Sequence, residues 1–187
     1  MKMFYEKDTD VNLIKDKELP ALDGFFIGGG FPETQALELA KNVSMKKSVK
    51  SAIENSLPVY AECGGLMYLA NTLKFNSTMK QMCNVFDIDI EMNEKPIGRG
   101  YTILDTDKHP WLIKNKNIHA HEFHYSSVKF NKKRYKYAYN VKRGYGINGR
   151  KDGLIYKNTI ASFSHLRSTS KFNWAKYFIK FIEQNNG

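Results

Sequence analysis

Cysteine is scarce in this sequence, and so are the marks of a membrane or exported protein. The 187 residues include two cysteines, Cys63 and Cys83. Two are too few for a disulfide framework, so we expect a reducing, cytoplasmic location. No apolar run approaches the ~20 residues that span a bilayer, and the charged N-terminus lacks the apolar centre of a signal peptide. The length suits a single domain with a sizeable core.

Acidic residues are missing from one long segment. Lysine and arginine number 29 against 19 acidic residues, a net charge of +10, and residues 129–151 contain nine basic residues and no acidic one. Such a segment can bind an anionic partner or can be an ordinary solvated surface. Within it, Arg143–Gly146 begins like an RNA-binding signature, but the aromatic residues that stack on bases do not follow. We therefore expect no nucleic-acid partner.

The first third of the chain alternates short apolar runs with helical periodicity. The pattern predicts a buried strand ending at Gly28, a helix within 31–56, a second buried strand over 57–62 and a helix over 66–73. Strand, helix, strand and helix at this spacing indicate an α/β protein with a parallel sheet.

After Leu73 the pattern changes to alternation with period two. Aromatic and β-branched residues dominate, which indicates strands that are in part antiparallel. The predicted strands cover 84–92, 99–107, 118–130, 136–142 and 159–165, and an amphipathic helix over 172–184 closes the chain.

Cys63 stands where the strand over 57–62 meets a helix. Ala61 lies two residues before it and Gly65 two after, which is the spacing of a nucleophile elbow. Such a turn displays the side chain at the sheet edge, beside a helix N-terminus that favours a thiolate. The N–H of Gly64 would then be available to an oxyanion. The alternative is a buried structural cysteine, and the pattern alone leaves both interpretations open.

A cysteine nucleophile needs a base, and the sequence offers five histidines. His165 ends the last predicted core strand, again at a sheet edge, and is the best placed. The other candidates are His109, His119, His121 and His124.

The glycines at 28–30 allow three interpretations. They resemble the start of a dinucleotide fingerprint, but Glu33 occupies the third glycine position, where its carboxylate would repel a pyrophosphate. They can form a simple turn. They can also supply backbone N–H groups near Gly29 and Gly30 that complete an oxyanion hole with Gly64. No GxxxxGK[ST] sequence is present, so this chain has no Walker-type ATP site.

The segment "HAHEFHY" raises the question of a metal site. His119 and His121 are spaced to share an ion on one strand face, with Glu122 and His124 close by. No CxxC or HExxH accompanies them, so we predict no metal.

Taken together, these motifs resemble a known family. "DGFFIGGGFPE", "YAECGGLMYL", "HEFHYS", "RGYGI", "DG" and "ASFSHL" follow the order of the C-terminal glutaminase domain of the cobyrinate a,c-diamide synthase family. The resemblance runs from about Leu19 to the C-terminus. It implies a class I glutamine amidotransferase-like fold, which is a flavodoxin-like three-layer α/β domain with a mixed, mostly parallel sheet.

The resemblance also implies a mechanism. Cys63 is expected to be displayed rather than buried and to attack the side-chain amide of glutamine, with His165 as general base and then acid. Ammonia would pass to an ATP-dependent synthetase that amidates acetate side chains of a corrinoid or related tetrapyrrole, as in cobalamin biosynthesis. ATP and Mg²⁺ are expected in that synthetase and no cofactor in this chain. The expected oxyanion and glutamine-binding residues are Gly29, Gly30 and Gly64, and the possible site-lining residues are Glu62, His121 and His124.

Alternatives remain within the resemblance. The substrate of amidation could be another tetrapyrrole such as nickel-sirohydrochlorin, or the chain could be a non-catalytic, glutaminase-like interaction subunit. We expect one glutaminase-like domain over 1–187, with a divergent or truncated start over 1–18 and without the family's N-terminal ATP-binding domain. Many class I relatives carry a glutamate two residues after the histidine, but here Arg167 stands there. The group that orients His165 is open, with Glu62 as a candidate.

Overall fold

The computed structural model describes residues 17–112, 117–169 and 172–185, so residues 1–16 of the predicted divergent start lie outside the described residues. The chain begins with β1 (Phe25–Ile27), α1 (Ala36–Lys41), α2 (Val43–Glu54), β2 (Val59–Glu62) and α3 (Gly64–Leu69). It continues with β3 (Thr72–Phe75), β4 (Thr78–Gln81), β5 (Ile88–Met92), β6 (Gly98–Thr106), β7 (Ile118–His124), β8 (Ser126–Phe130), β9 (Lys136–Arg143), β10 (Lys151–Tyr156), β11 (Thr159–Ser162) and β12 (His165–Leu166). It ends with α4 (Trp174–Asn185).

The larger sheet has the order β1-β2-β11-β10-β9-β6-β7-β12. The β1–β2 and β2–β11 pairs are parallel, whereas the other neighbours in this sheet are antiparallel. The mixed α/β sheet is confirmed, but the description as mostly parallel needs correction. Short connections, such as those from β9 to β10 and from β10 to β11, permit only antiparallel pairing.

A smaller sheet of β4-β3-β5-β8 overturns the predicted helix over 66–73. Helix α3 ends at Leu69, because Ala70 is extended at φ −65° and ψ 173°. The next residues leave the helix and contact β5. The Thr72 hydroxyl donates to the Asp89 carboxylate at 2.5 Å, and the Asn71 side-chain amide donates to the same carboxylate at 3.1 Å.

The predicted helix within 31–56 is two helices. The side chain of Asn42 accepts the Met45 N–H at 3.1 Å, which is the N-cap contact of a new helix. The backbone N–H of Asn42 meanwhile donates to Glu38, in the last turn of α1, at 3.2 Å. One asparagine therefore closes α1 and opens α2.

Two hydrophobic cores lie on opposite faces of the larger sheet. Successive residues of β2 divide between them, as the pleat requires: Val59 and Ala61 belong to the core with α2 and α3, and Tyr60 to the core with α4. The sheet is therefore the middle of three layers, with its buried parallel strands ending at Glu62 and Ser162. Within the described residues, no helix is both long and apolar enough to cross a membrane.

Candidate active site

Cys63 forms a sharp turn between β2 and α3. Its backbone has φ 47° and ψ −100°, a conformation that is rare and costly for a residue with a Cβ. The turn is held on both sides, since the Cys63 N–H donates to Ser162 of β11 at 2.7 Å and its carbonyl accepts the Met67 N–H at 3.1 Å. This is the strained strand-to-helix geometry that the elbow spacing predicts.

The two glycines after Cys63 allow the chain to approach its neighbours. A Cβ on Gly65 would lie 2.5 Å from the Ile27 carbonyl oxygen, and one on Gly64 would lie 2.9 Å from that of Gly30. Larger side chains would push β1 and the loop after it away from the turn.

The Cys63 side chain lies at the sheet edge but is not displayed to solvent. Cys63 is 5% exposed, and its thiol points toward the Phe123 carbonyl oxygen of β7 at 3.9 Å. The prediction of a displayed rather than a buried sulfur is wrong in this respect. Strand β7 on one side and the glycine loop on the other cover the turn, and both are distant from it in sequence.

His165 lies beside Cys63 on β12. Its Nδ1 is 3.2 Å from Oε2 of Glu62, the residue directly before the cysteine. Burial lowers the pKa of His165, but hydrogen bonds with the Cys63 sulfur and the Glu62 carboxylate outweigh it and raise the pKa to about 10. The imidazole therefore carries a proton at neutral pH.

Glu62 is buried and its carboxylate is fully engaged. While Oε2 faces His165, Oε1 accepts the hydroxyl of Tyr60 at 2.6 Å and the backbone N–H of Leu166 at 2.8 Å. The sequence left the orienting group open, and the structure brings Glu62 to His165.

The glycine loop after β1 closes one side of this arrangement. A Cβ on Gly29 would lie 2.4 Å from Cε1 of His165, while nothing lies within 4 Å of the corresponding position on Gly30. The loop thus packs against the histidine at Gly29 and against Gly64 at Gly30. The loop therefore lies where the third interpretation of the glycines requires it, beside the histidine and the turn at the cysteine.

The histidines of β7 divide between its two faces. His119 and His121 are exposed, whereas Glu122 and His124 are buried. The His121 ring stacks on His165 with centroids 4.8 Å apart, so His121 is beside the candidate site. Burial and the neighbouring His165 lower the pKa of His121.

His124 lies on the buried face of β7. Its ring stacks on Phe163 at 3.9 Å, and its Nδ1 pairs with the Ser126 carbonyl at 3.0 Å. It supports the turn that leads to His165 from the buried side. Strand β7 therefore separates His124 from His119 and His121. Within the described ranges, no group of three or more His, Cys, Asp or Glu is arranged to hold a metal.

Two buried carboxylates near the site were not assigned a role from the sequence. Asp152 accepts backbone N–H groups from Gly153, Phe163 and Ser164 at 2.8, 3.0 and 2.9 Å. Glu122 accepts those of Tyr145 and Gly146 at 2.6 and 2.8 Å. Asp152 of "DG" thus holds the backbone of "ASFSH", and Glu122 of "HEFHYS" holds that of "RGYGI".

His109 is structural. Its Nε2 is 2.9 Å from the Tyr139 hydroxyl, and its Nδ1 accepts the Leu112 N–H at 3.0 Å. Burial lowers its pKa to about 3, so it is neutral at pH 7. Its ring packs edge-on against Trp111, which belongs to the core beside α4, with centroids 4.6 Å apart.

Part of the basic segment is paired locally. Lys142 contacts Asp105 at 3.0 Å and Lys151 contacts Asp107 at 2.7 Å. Both acidic partners lie in or just after β6, so some of the charge excess that the sequence shows is neutralised across the sheet.

The combination of an elbow cysteine, an adjacent histidine and a close glycine loop coincides with a family match. Residues 2–172 match the family described as CobB/CobQ-like glutamine amidotransferase domain. The chain belongs to this family.

Three curated relatives of this glutamine amidotransferase domain carry the same name. The chain is 37% identical over 171 residues to cobyrinate a,c-diamide synthase of Magnetococcus marinus, covering 91% of this chain and 37% of the relative. The protein of that name from Archaeoglobus fulgidus is 38% identical over 178 residues, covering 94% and 38%. That from Methanosphaera stadtmanae is 41% identical over 154 residues, covering 81% and 33%. The chain thus spans about a third of their length.

Solved structures confirm the class I amidotransferase fold. A glutamine amidotransferase aligns with a TM-score of 0.61 and 14% identity, covering 87% of this chain and 80% of that one. PurLQS from Thermotoga maritima aligns with a TM-score of 0.62 and 13% identity, covering 92% and 84%. At these identities the likeness concerns the fold.

Proposed function

We propose that this chain hydrolyses the side-chain amide of glutamine, with Cys63 as nucleophile and His165 as base and acid. The observation that carries the proposal is an elbow cysteine with a strained backbone at φ 47°, directly after Glu62, whose Oε2 lies 3.2 Å from Nδ1 of His165. The pKa of the imidazole, raised to about 10, agrees with this arrangement. An imidazolium beside a sulfur favours the thiolate, which is the reactive form.

In the first half-reaction the Cys63 thiolate attacks the amide carbon. The carbonyl π electrons move to oxygen. The resulting oxyanion would accept hydrogen bonds from the N–H of Gly64 and from N–H groups of the loop at Gly29 and Gly30. The tetrahedral intermediate then collapses, the C–N bond breaks and His165 donates its proton to the leaving nitrogen. Ammonia departs and a glutamyl thioester remains.

In the second half-reaction water replaces the sulfur. His165, which is now neutral, takes a proton from a water molecule while the oxygen of that water attacks the thioester carbon. Collapse of the second tetrahedral intermediate breaks the C–S bond, releases glutamate and restores the thiolate–imidazolium pair. His121 stacks on His165 and lines the same space, whereas His124 stacks on Phe163.

We propose further that the ammonia serves an ATP-dependent amidation. The curated relatives are named for the amidation of cobyrinate, which supports a tetrapyrrole acetate group as the acceptor. A synthetase domain or subunit would bind ATP and Mg²⁺, and the reaction would take place in the cytoplasm. These assignments rest on the relatives, of which this chain covers about a third.

Labelling with an electrophilic glutamine analogue, read by mass spectrometry, tests the glutaminase proposal. We expect one label per chain, on Cys63, lost in Cys63→Ser and slowed in His165→Ala. Cys83 is an internal control, because burial raises the pKa of its thiol to about 12 and leaves little thiolate at neutral pH. Equal labelling of both cysteines, or none, would overturn the proposal and favour a non-catalytic interaction subunit.

A further inference from the structure

We infer that Glu62 is the positioning residue of His165, taking the place of the glutamate that many class I relatives carry two residues after the histidine. The two relevant distances are those from Oε2 of Glu62 to Nδ1 of His165, 3.2 Å, and from Oε1 to the Leu166 N–H, 2.8 Å. The carboxylate thus holds both the ring and the backbone of β12. Arg167, at the usual position, is exposed and cationic and cannot accept a proton from the ring.

The contact fixes the ring chemically as well as spatially. A carboxylate only accepts hydrogen bonds, so Nδ1 must carry the proton that it shares with Glu62. When His165 is neutral, its lone pair is then on Nε2 and is free for proton transfer at the cysteine. Glu62 thereby selects the tautomer that serves as a base, which is the logic of the aspartate in serine proteases.

Among the described residues that lie against the ring, Glu62 is the carboxylate that contacts it. The stacked neighbour from β7 is His121, which interacts unfavourably with a charged His165 and also faces Arg167. From the glycine loop the ring meets Gly29, which has no charge. The Tyr60 hydroxyl donates to Oε1 of Glu62, whereas His165 faces Oε2. Tyr60 thus supports the carboxylate from the side away from the histidine.

Glu62→Gln is a sharp test, because the Leu166 N–H dictates how the new amide must lie. A backbone N–H only donates, so the amide oxygen must take the Oε1 position, where Tyr60 also donates. The NH₂ group is then forced toward Nδ1 of His165. Two donors cannot face each other, so neutral His165 must shift its proton to Nε2 and lose the lone pair that faces the cysteine.

The primary measurement is NMR of histidine-labelled protein, which reports the titration midpoint and the tautomer of His165; His165→Gln identifies its signals. In the wild type we expect a midpoint near 10, in line with the raised pKa, and an Nδ1–H tautomer above it. In Glu62→Gln we expect a lower midpoint and an Nε2–H tautomer. The catalytic consequence rests on the proposed function: Cys63 labelling at neutral pH should slow by about 10²- to 10⁴-fold, as expected for a wrong tautomer.

Two controls separate positioning from packing. Tyr60→Phe removes one hydrogen bond to Oε1 and keeps the ring, and we expect it to preserve the Nδ1–H tautomer. Glu94→Gln removes an exposed carboxylate and should change neither readout. Both controls also show whether general loss of stability or charge affects His165.

An Nε2–H tautomer in the wild type overturns the inference without any variant. So does a Glu62→Gln protein whose midpoint and tautomer equal those of the wild type, whatever its labelling rate. A separate result concerns the proposed function: a wild-type protein that resists the glutamine analogue, yet shows the tautomer exchange in Glu62→Gln, would refute the glutaminase activity and leave the role of Glu62 intact.

Discussion

The carboxylate of Asp152 holds the backbone of Ser164, the residue directly before His165. Its Oδ2 accepts the Ser164 N–H at 2.9 Å, and its Oδ1 accepts the N–H groups of Phe163 at 3.0 Å and Gly153 at 2.8 Å. Strand β11 must end and the chain must turn before β12 pairs with β7. A buried acceptor at this turn therefore determines where the histidine of the candidate site lies.

We expect Asp152→Ala to destabilise the protein by at least about 3 kcal/mol, because it leaves three buried N–H groups without an acceptor, each worth ~1–3 kcal/mol. Urea denaturation followed by circular dichroism measures this. Exposed Glu94→Ala is the control and should leave the unfolding free energy unchanged. If the two variants unfold at the same urea concentration, the turn does not depend on Asp152.

Local patterns were sufficient to predict the elements that flank the site. Alternating apolar runs and helical periodicity indicate β1, β2 and α4, and the small-residue spacing indicates the turn at Cys63. The prediction of a helix over 66–73 was wrong because the apolar residues of this stretch fit either a helix or a buried strand. What decides against a longer helix is Asp89 on β5, which bonds Asn71 and Thr72, and such a tertiary contact has no local signal.

The sequence likewise predicts only part of the candidate site. Cys63 and His165 are indicated by their positions at strand ends. Glu62 faces His165 from 103 residues away in sequence, and Asp152 reaches its turn through bonds that also depend on strand pairing. The burial of Cys63 depends on β7 and the glycine loop. Contacts that join distant segments could not be derived from spacing.

Gly29 is predicted to be essential for the position of His165. In Gly29→Ala the new methyl group would lie 2.4 Å from Cε1 of the ring, so the imidazole must move. A displacement of ~1 Å can reduce a rate by about 100-fold, and we expect a loss of this order in Cys63 labelling.

Gly28→Ala is the matched control for Gly29→Ala. A Cβ at Gly28 would first meet the Phe26 ring, at 3.4 Å, which is an ordinary contact with a flexible side chain. We expect near wild-type labelling. Equal labelling rates in both alanine variants would mean that the loop does not hold the histidine.

His109 should make the protein acid-sensitive. Burial holds its folded-state pKa at about 3, below the ordinary value of ~6.5. Between these values the unfolded chain binds more protons than the folded one, so stability falls as the pH drops below about 6.5, by up to ~1.4 kcal/mol per pH unit from this residue.

Urea denaturation at pH 7, 6 and 5 measures the contribution of His109. Other groups also titrate in this range, so the test compares the wild type with His109→Gln. The variant is expected to lose stability at pH 7 but to show a smaller decline on acidification. Parallel declines in the two proteins would show that His109 is not held neutral by the fold.

Gly98 allows the buried pair Glu122 and His124 to lie against β6. A Cβ at Gly98 would be 2.3 Å from Nε2 of His124 and 2.7 Å from Cδ of Glu122. Neither side chain has room to retreat, because His124 stacks on Phe163 and Glu122 holds two backbone N–H groups. We expect Gly98→Ala to lower the unfolding free energy by about 1–3 kcal/mol, as overpacking of a core does.

Gly30→Ala separates overpacking at Gly98 from a general effect of replacing glycine. Nothing lies within 4 Å of a Cβ at Gly30, so this variant should keep wild-type stability in the same urea titration. Because Glu122 holds the Tyr145 and Gly146 N–H groups, Gly98→Ala should also speed hydrogen exchange at these two amides, whereas Gly30→Ala should not. Unchanged exchange in Gly98→Ala would show that the Glu122 contact is independent of the packing against β6.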